Sequence, residues 1–253
     1  MSLVTAPSVV TAVAALPSVP GPSAVPAPSV AAGRRGLAAP AHRVLKRTVD
    51  LLGAAAALLV LGPVLLVVAL AVKLGDPAGP VLYRQARVGR GGRAVGVWKF
   101  RSMTWAYSTG PDRPHQTAAA AFTAMGRADL VEEFEREQKV ADDPRISRLG
   151  RALRASSLDE LPQLVNVLVG QLSLVGPRPV VPAELERYGD AARHYLAVKP
   201  GITGLWQVSG RSNTGYEERV QLDVRYVTQW NPLLDLVIAL RTVRTVLARE
   251  GAV

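Results

Sequence analysis

The sequence predicts an α+β, mainly helical protein: one membrane-embedded helix, a small folded domain behind it, and amphipathic helices lying along the interface. Three observations predict this. An uncharged run from Leu51 to Val72, LLGAAAALLVLGPVLLVVALAV, is long enough to cross a hydrocarbon core as a helix. Two β-like runs, Val81-Leu82-Tyr83 and Val95-Gly96-Val97-Trp98, flank the turn Arg90-Gly91-Gly92-Arg93 and predict a hairpin. SLDELPQLVNVLVGQ and the C-terminal segment place apolar side chains at helical spacing.

Composition narrows the chemistry. With 253 residues, 49% of them hydrophobic, the chain can build a real core, most simply one domain with appendages. A net charge of +10 and a pI near 10.5 imply an anionic partner: nucleic acid, an anionic membrane surface or phosphorylated substrates. There is no cysteine, which excludes disulfides, thiolate metal sites and a cysteine nucleophile, and His42, His115 and His194 are scattered. Any catalytic metal is then expected to sit on oxygen ligands.

Residues 1–43 are expected to be a disordered leader, because Pro7, Pro17, Pro20, Pro22, Pro26 and Pro28 interrupt helix and strand alike. A signal peptide fits poorly, since Arg34 and Arg35 follow the apolar stretch instead of preceding it. Residues 44–75 form the membrane helix. Proline removes a backbone hydrogen bond and clashes with the preceding turn, so Gly62-Pro63 predicts a kink at the midpoint. The helix then either spans while bent or turns back. Positive residues on both sides, His42-Arg43 and Lys46-Arg47 before it and Lys73, Arg84, Arg87 and Arg90 after it, favour the re-entrant form with both ends cytoplasmic.

Residues 76–253 are expected to form one cytoplasmic domain. After the hairpin, 105–127 reads as a loop and DLVEEFEREQK as a charged, solvated helix. GRGGR lacks the strand-to-helix context of a dinucleotide loop. In RISRLGRALR, Arg145, Arg148, Arg151 and Arg154 recur at every third position and predict a basic stripe, with Arg154 nearest the acidic pair that follows. SLDELPQLVNVLVGQ reads as a helix with Leu161, Leu164, Val165 and Leu168 on one face and Gly170 near its end. SLVGPRPVVPAE is a rigid loop that holds Arg178 between Pro177 and Pro179, and KPGITGLWQVSGRS is loop-like. The C-terminal helix sets Leu236, Leu240, Val243 and Leu247 against Arg241, Arg244 and Arg249, the pattern of an interfacial amphipathic helix.

The pair Asp159-Glu160 admits two readings. Ser157 followed by Glu160 is a capping box, and acids suit a helix N-terminus. Alternatively, acids in a basic setting carry chemistry. A catalyst that joins a soluble nucleotide-activated substrate to a lipid-borne phosphate needs arginines and a divalent cation to neutralise phosphate oxygens. Magnesium is served by one or two carboxylates plus substrate phosphates, and a carboxylate can also attack phosphorus.

Several segments carry a resemblance: KRTVDLL, GPVLYRQARVGRGGR, WKFRSM, DDPRISRLGRALRASSLDELPQLVNVLVGQLSLVGPRP, KPGITGLWQVSGR and the D-x-x-Y-V-x-x-W spacing from Asp223 to Trp230. In this order, from about residue 44 onward, the chain resembles the bacterial sugar transferases, monotopic polyprenyl-phosphate phosphoglycosyl transferases, in their short form. The resemblance implies a re-entrant membrane helix with a small cytoplasmic catalytic domain on the bacterial inner membrane. It implies that Asp159 attacks the β-phosphorus of a UDP-sugar, releases UMP and passes the sugar-phosphate to polyprenyl phosphate. Glu160, with Asp159, is expected to hold Mg²⁺. Arg154 and Arg178, joined by Lys99 and Arg101, are expected to hold phosphate oxygens, and Pro177 and Pro179 to fix the loop. The family's membrane helix commonly breaks at Ser-Pro, whereas this chain has Gly62-Pro63. Expected partners are a UDP-sugar, polyprenyl phosphate and membrane lipids, with a homo-oligomer admitted and nucleic acid excluded. A membrane-tethered basic binding or assembly protein without activity is the alternative; a nucleic-acid role leaves the acidic pair unexplained, and aromatics at 5% give few stacking platforms.

Overall fold

The computed structural model describes residues 40–110, 112–137, 140, 142–209 and 215–248. The expected leader lies almost wholly outside them. Helix α1 runs from Pro40 to Gly75 as one continuous element with Pro63 inside it. Helical backbone continues through Gly62-Pro63, where the bend is expected.

One face of α1 is packed on the domain along much of its length. Ala54, Ala57 and Leu58 join Val95, Val97, Leu164, Val167 and Leu172, while Leu65, Val68, Ala69 and Val72 join Phe100 and Leu153. The opposite face is open and apolar, with Leu59 83% exposed and Leu52, Val60, Leu66 and Val67 similar. Its first turns are also locked by polar contacts. Asp50 accepts from Ser173 Oγ at 2.8 Å and from the Leu174 amide at 2.9 Å, while Lys46 Nζ donates to Asp235 at 2.7 Å.

The hairpin forms as expected. Strand β1 (Leu82–Val88) pairs antiparallel with β2 (Ala94–Phe100) from Leu82↔Phe100 to Val88↔Ala94, around a tight turn at Arg90–Gly92. Gly91 and Gly92 supply the positive φ values the turn needs. Residues 105–127, read as a loop, contain α2 (Ala118–Ala124), which is capped by Thr117 and buries Phe122 against Leu130 and Val140. An alanine-rich run has too little contrast between faces to signal a helix. The charged helix is present as α3 (Leu130–Glu137).

The basic stripe is only partly realised. Helix α4 spans Arg148–Ala155 behind a Ser147 cap, but Arg145 precedes it, buried against Asp143 at 2.6 Å and under the Phe122 ring at 4.3 Å. Nor does the capping box form. Ser157 is left-handed at φ 56° and makes no cap bond, residues Leu158–Glu160 form a single 3-10 turn, and α5 (Gln163–Leu168) starts after Pro162. Helix α5 buries Gln163, Leu164, Asn166 and Val167, leaving Val165 exposed. Asn166 dictates that rotation: its side chain accepts from the Trp98 amide and donates to Gly96 O at 2.8 Å, stapling α5 to β2.

Two loops of the sequence reading meet as a second, parallel pair, β3 (Ser173–Val175) with β4 (Gly201–Thr203). The backbones touch so closely that a Cβ on Gly201 would stand 2.1 Å from Gly176 N. Helices α6 (Pro182–Glu186), α7 (Ala192–Ala197), α8 (Tyr216–Gln229) and α9 (Pro232–Ala248) complete the fold. A core of Val175, Val198, Leu205, Tyr226, Trp230 and Ile238 joins α8 and α9 to the strands. On α9, Leu236, Leu240 and Val243 stay exposed, while the side chain of Leu247 lies outside the described set.

Candidate active site

The acidic pair stands between α4 and α5, and its two members differ in surroundings. Asp159 is only 7% exposed. Burial, and then the neighbouring Glu160 charge, push its acid up to about 6, against the pull of Lys99 and Arg154. Burial also works to raise Glu160, but Lys99, Arg178 and Arg87 outweigh it and hold that carboxyl below its ordinary range. The Lys99 ammonium donates directly to Glu160 Oε1 at 2.7 Å. Two neighbouring acids are thereby separated in proton affinity, an arrangement characteristic of catalytic pairs.

Glu160 opens onto a cleft with Lys99, Arg178 and Pro179, all expected from the sequence, together with Arg87, Gln163 and Gln207. Strand alternation explains the hairpin's share. Arg87 stands opposite Val95, and Val95, Val97 and Lys99 occupy alternate positions of β2, so Arg87, Val97 and Lys99 project from the same face. Reading the hairpin register from sequence would have found Arg87. Its guanidinium is shifted down by burial and by the like charge of Arg178, with Glu184 Oε2 at 3.6 Å as a counter-charge.

Arg178 reaches solvent while Pro177 and Pro179 are buried on either side. The loop is held from both edges: Gly176 N donates to Thr203 O and Gly201 N to Pro177 O, each at 2.8 Å, and Val88 N donates to Val180 O at 2.8 Å. Arg154 is half-buried, donates from Nε to Ser102 Oγ at 2.9 Å and acts electrostatically on Asp159. Arg101 is not brought to the cleft. It is buried at the end of α1, where it pairs with Asp76 Oδ2 at 3.0 Å and donates to the Asp76 and Val72 carbonyls. Those carbonyls end a helix, and a guanidinium suits that end.

Among the described residues no group of three or more Asp, Glu or His converges as a metal cage. Of the two adjacent carboxylates Glu160 lines the cleft, while Asp159 is buried beside it and is not among the lining groups; one or two carboxylates plus substrate phosphates are the donor set that suits magnesium.

The bacterial sugar transferase family model matches residues 41–249. The chain belongs to this family. It is 43% identical over 219 residues to the undecaprenyl-phosphate galactose phosphotransferase of Salmonella typhimurium strain LT2, covering 87% of this chain and 44% of that protein. It is 40% identical over 217 residues to the exopolysaccharide production protein ExoY of Rhizobium meliloti, covering 86% of this chain and 92% of that protein. It is 40% identical over 210 residues to the UDP-glucose:undecaprenyl-phosphate glucose-1-phosphate transferase of Escherichia coli K12, covering 80% of this chain and 40% of that protein. The chain thus spans nearly all of ExoY and less than half of the other two.

Proposed function

We propose that the protein transfers a sugar-1-phosphate from a UDP-sugar to polyprenyl phosphate through a covalent bond to Asp159, an early membrane step of exopolysaccharide or related glycan synthesis. The observation that carries this reading is the acidic pair divided in proton affinity, with buried Asp159 adjoining Glu160, which lines a cleft with Lys99, Arg87 and Arg178. In the first half-reaction an Asp159 oxygen attacks the β-phosphorus, the bond from that phosphorus to the bridging oxygen breaks, and UMP leaves with the electron pair. In the second, a polyprenyl phosphate oxygen attacks the same phosphorus and the carboxylate departs, restoring Asp159 and yielding a polyprenyl diphosphosugar. Arg178 and Arg87 bind the donor's phosphate oxygens, and Lys99 keeps Glu160 ionised and oriented. Asp159 and Glu160 would hold Mg²⁺, which supplies charge neutralisation on the phosphate oxygens.

The same reading places the domain on the cytoplasmic face of the bacterial inner membrane. Supporting it, residues near both ends of α1 are tied to the same domain, Asp50 to β3 and Val72 to Phe100 and Leu153, while the free face is apolar. A helix that crossed the bilayer would carry those two attachments to opposite sides. The names of the relatives, which include undecaprenyl-phosphate sugar phosphotransferases, agree with the chemistry. The deciding experiment supplies UDP-sugar, Mg²⁺ and polyprenyl phosphate and follows UMP, then quenches with labelled donor and maps the label. Sugar-phosphate on Asp159 is expected; a turning-over enzyme with no label there overturns the covalent route. Cysteines introduced near Ala41 and near Asp76, with Asp76 itself kept as the partner of Arg101, should both react from the cytoplasmic side only.

A further inference from the structure

Away from the cleft, cations from three separate elements converge at the base of α1. Gly170 follows α5 at φ 83°, and a Cβ there would stand 3.4 Å from both Lys199 Nζ and Arg47 Nη2. The two charged nitrogens therefore lie within twice that distance of each other. Arg47 is fixed in place, since Nη1 donates to Val167 O at 2.6 Å and Nη2 to Leu168 O at 2.8 Å, closing the C-terminal end of α5. Arg90, exposed at the hairpin turn, is brought in because that turn packs against α7, which runs directly toward Lys199.

Lys199 is half-buried, and among the described residues it has neither a hydrogen-bonding nor an ion-pair partner. Burial and the charges of Arg47 and Arg90 all hold its ammonium below the ordinary lysine range. The nearby acid, Asp50, gives little relief, because it already accepts from the Ser173 hydroxyl and the Leu174 amide and also pairs with Lys46 at 3.6 Å. Like charges assembled this way are costly without an anion between them. The surroundings are apolar: Val169 beside Gly170 is 63% exposed, and Val44, Val49 and Leu52 are exposed on the turns of α1 around Arg47. A cationic centre with an apolar rim, at the foot of a membrane helix, suits a phosphate that carries acyl or prenyl chains.

We propose that Arg47, Arg90 and Lys199 form a binding site for a lipid-borne phosphate where α1 meets the bilayer surface, separate from the cleft of Glu160. The site rests on the membrane reading above, and its ligand is either a bulk anionic phospholipid or the polyprenyl phosphate. Flotation of the full chain tests it, using phosphatidylcholine vesicles alone, with phosphatidylglycerol, or with polyprenyl phosphate. The variant is the double change Lys199→Gln and Arg90→Gln; Arg47 is left intact because it also closes α5. The wild type is expected to favour at least one of the two anionic vesicles severalfold over phosphatidylcholine. The variant should lose most of that preference with its melting curve and binding to phosphatidylcholine unchanged, and Lys199→Arg should retain it. Loss on phosphatidylglycerol assigns a bulk headgroup; loss confined to polyprenyl phosphate vesicles assigns the acceptor. An unchanged preference on both overturns the site. A wild type that floats with no vesicle removes the membrane reading itself, and the site with it.

Discussion

Two buried aspartates in this molecule look alike by accessibility and differ in everything that matters for reactivity. Asp223, on α8, is 2% exposed and pushed up to about 7 by burial, relieved by the Tyr188 hydroxyl that donates to Oδ2 at 2.8 Å; among the described residues its Oδ1 has no hydrogen-bond partner. Asp159 is raised by the same desolvation, but it faces Lys99 and Arg154 and adjoins a second carboxylate that opens onto a cleft. Burial alone makes an acid that holds its proton. Burial balanced by cations makes one that is ionised at neutral pH yet poorly solvated, which is the condition of a usable nucleophile.

The comparison can be broken most decisively by neutralising each acid. Asp159→Asn should lower UMP release by about 10⁴-fold while circular dichroism stays unchanged, because the amide cannot attack phosphorus. Asp223→Asn should stay within about threefold of wild type in the same assay. Stability gives the next largest contrast. In the folded chain Asp223 is protonated up to about pH 7 but in the unfolded chain only to about 4, so between those values the folded state binds more protons. Thermal stability should therefore fall as pH rises through that window, by up to roughly 4 kcal/mol, and level off above it. Asp223→Asn should flatten most of that slope, Asp159→Asn a smaller part ending near pH 6.

Smaller effects sharpen the cationic side of the contrast. Arg178→Ala should reduce kcat/KM for the UDP-sugar by about 100-fold, whereas the same change at Arg148, an exposed position of α4, should cost less than about twofold. Because Asp159 must be ionised to attack, initial rates in the wild type should drop about tenfold per pH unit below pH 6 and be flat above it. A rate that is level down to pH 5 would show that Asp159 is not the titrating nucleophile.

What was legible in the sequence was local. The hairpin has alternating β-formers about two glycines, the charged helix has its own periodicity, and the uncharged run needs nothing but its length. Lys99, Glu160, Arg178 and Pro179 stand in family motifs and meet in the cleft, whereas Asp159, in the same motif as Glu160, is buried beside it and does not line it. What escaped depends on partners far along the chain. Arg101 looks like Lys99 two positions on, yet Asp76 and the end of α1 claim it. Asn166 is the polar residue that sets the rotation of α5, through contacts with a strand about seventy positions earlier. Ser157 matches a helix cap by spacing, but a left-handed backbone removes it from that role. The parallel pairing of β3 with β4 depends on glycines whose backbones touch across the fold, and no periodicity announces it.

The lock between Asp50 and β3 has a mechanical consequence. Ser173 and Leu174, which donate to that carboxylate, belong to the strand that runs through Gly176 into the loop carrying Arg178. If α1 sits in the bilayer as proposed, tilting or sinking it in a thicker or thinner membrane would tug on a short, stiff tether that ends at the Arg178 guanidinium of the cleft, making the lipid environment a lever on turnover as well as a place to float.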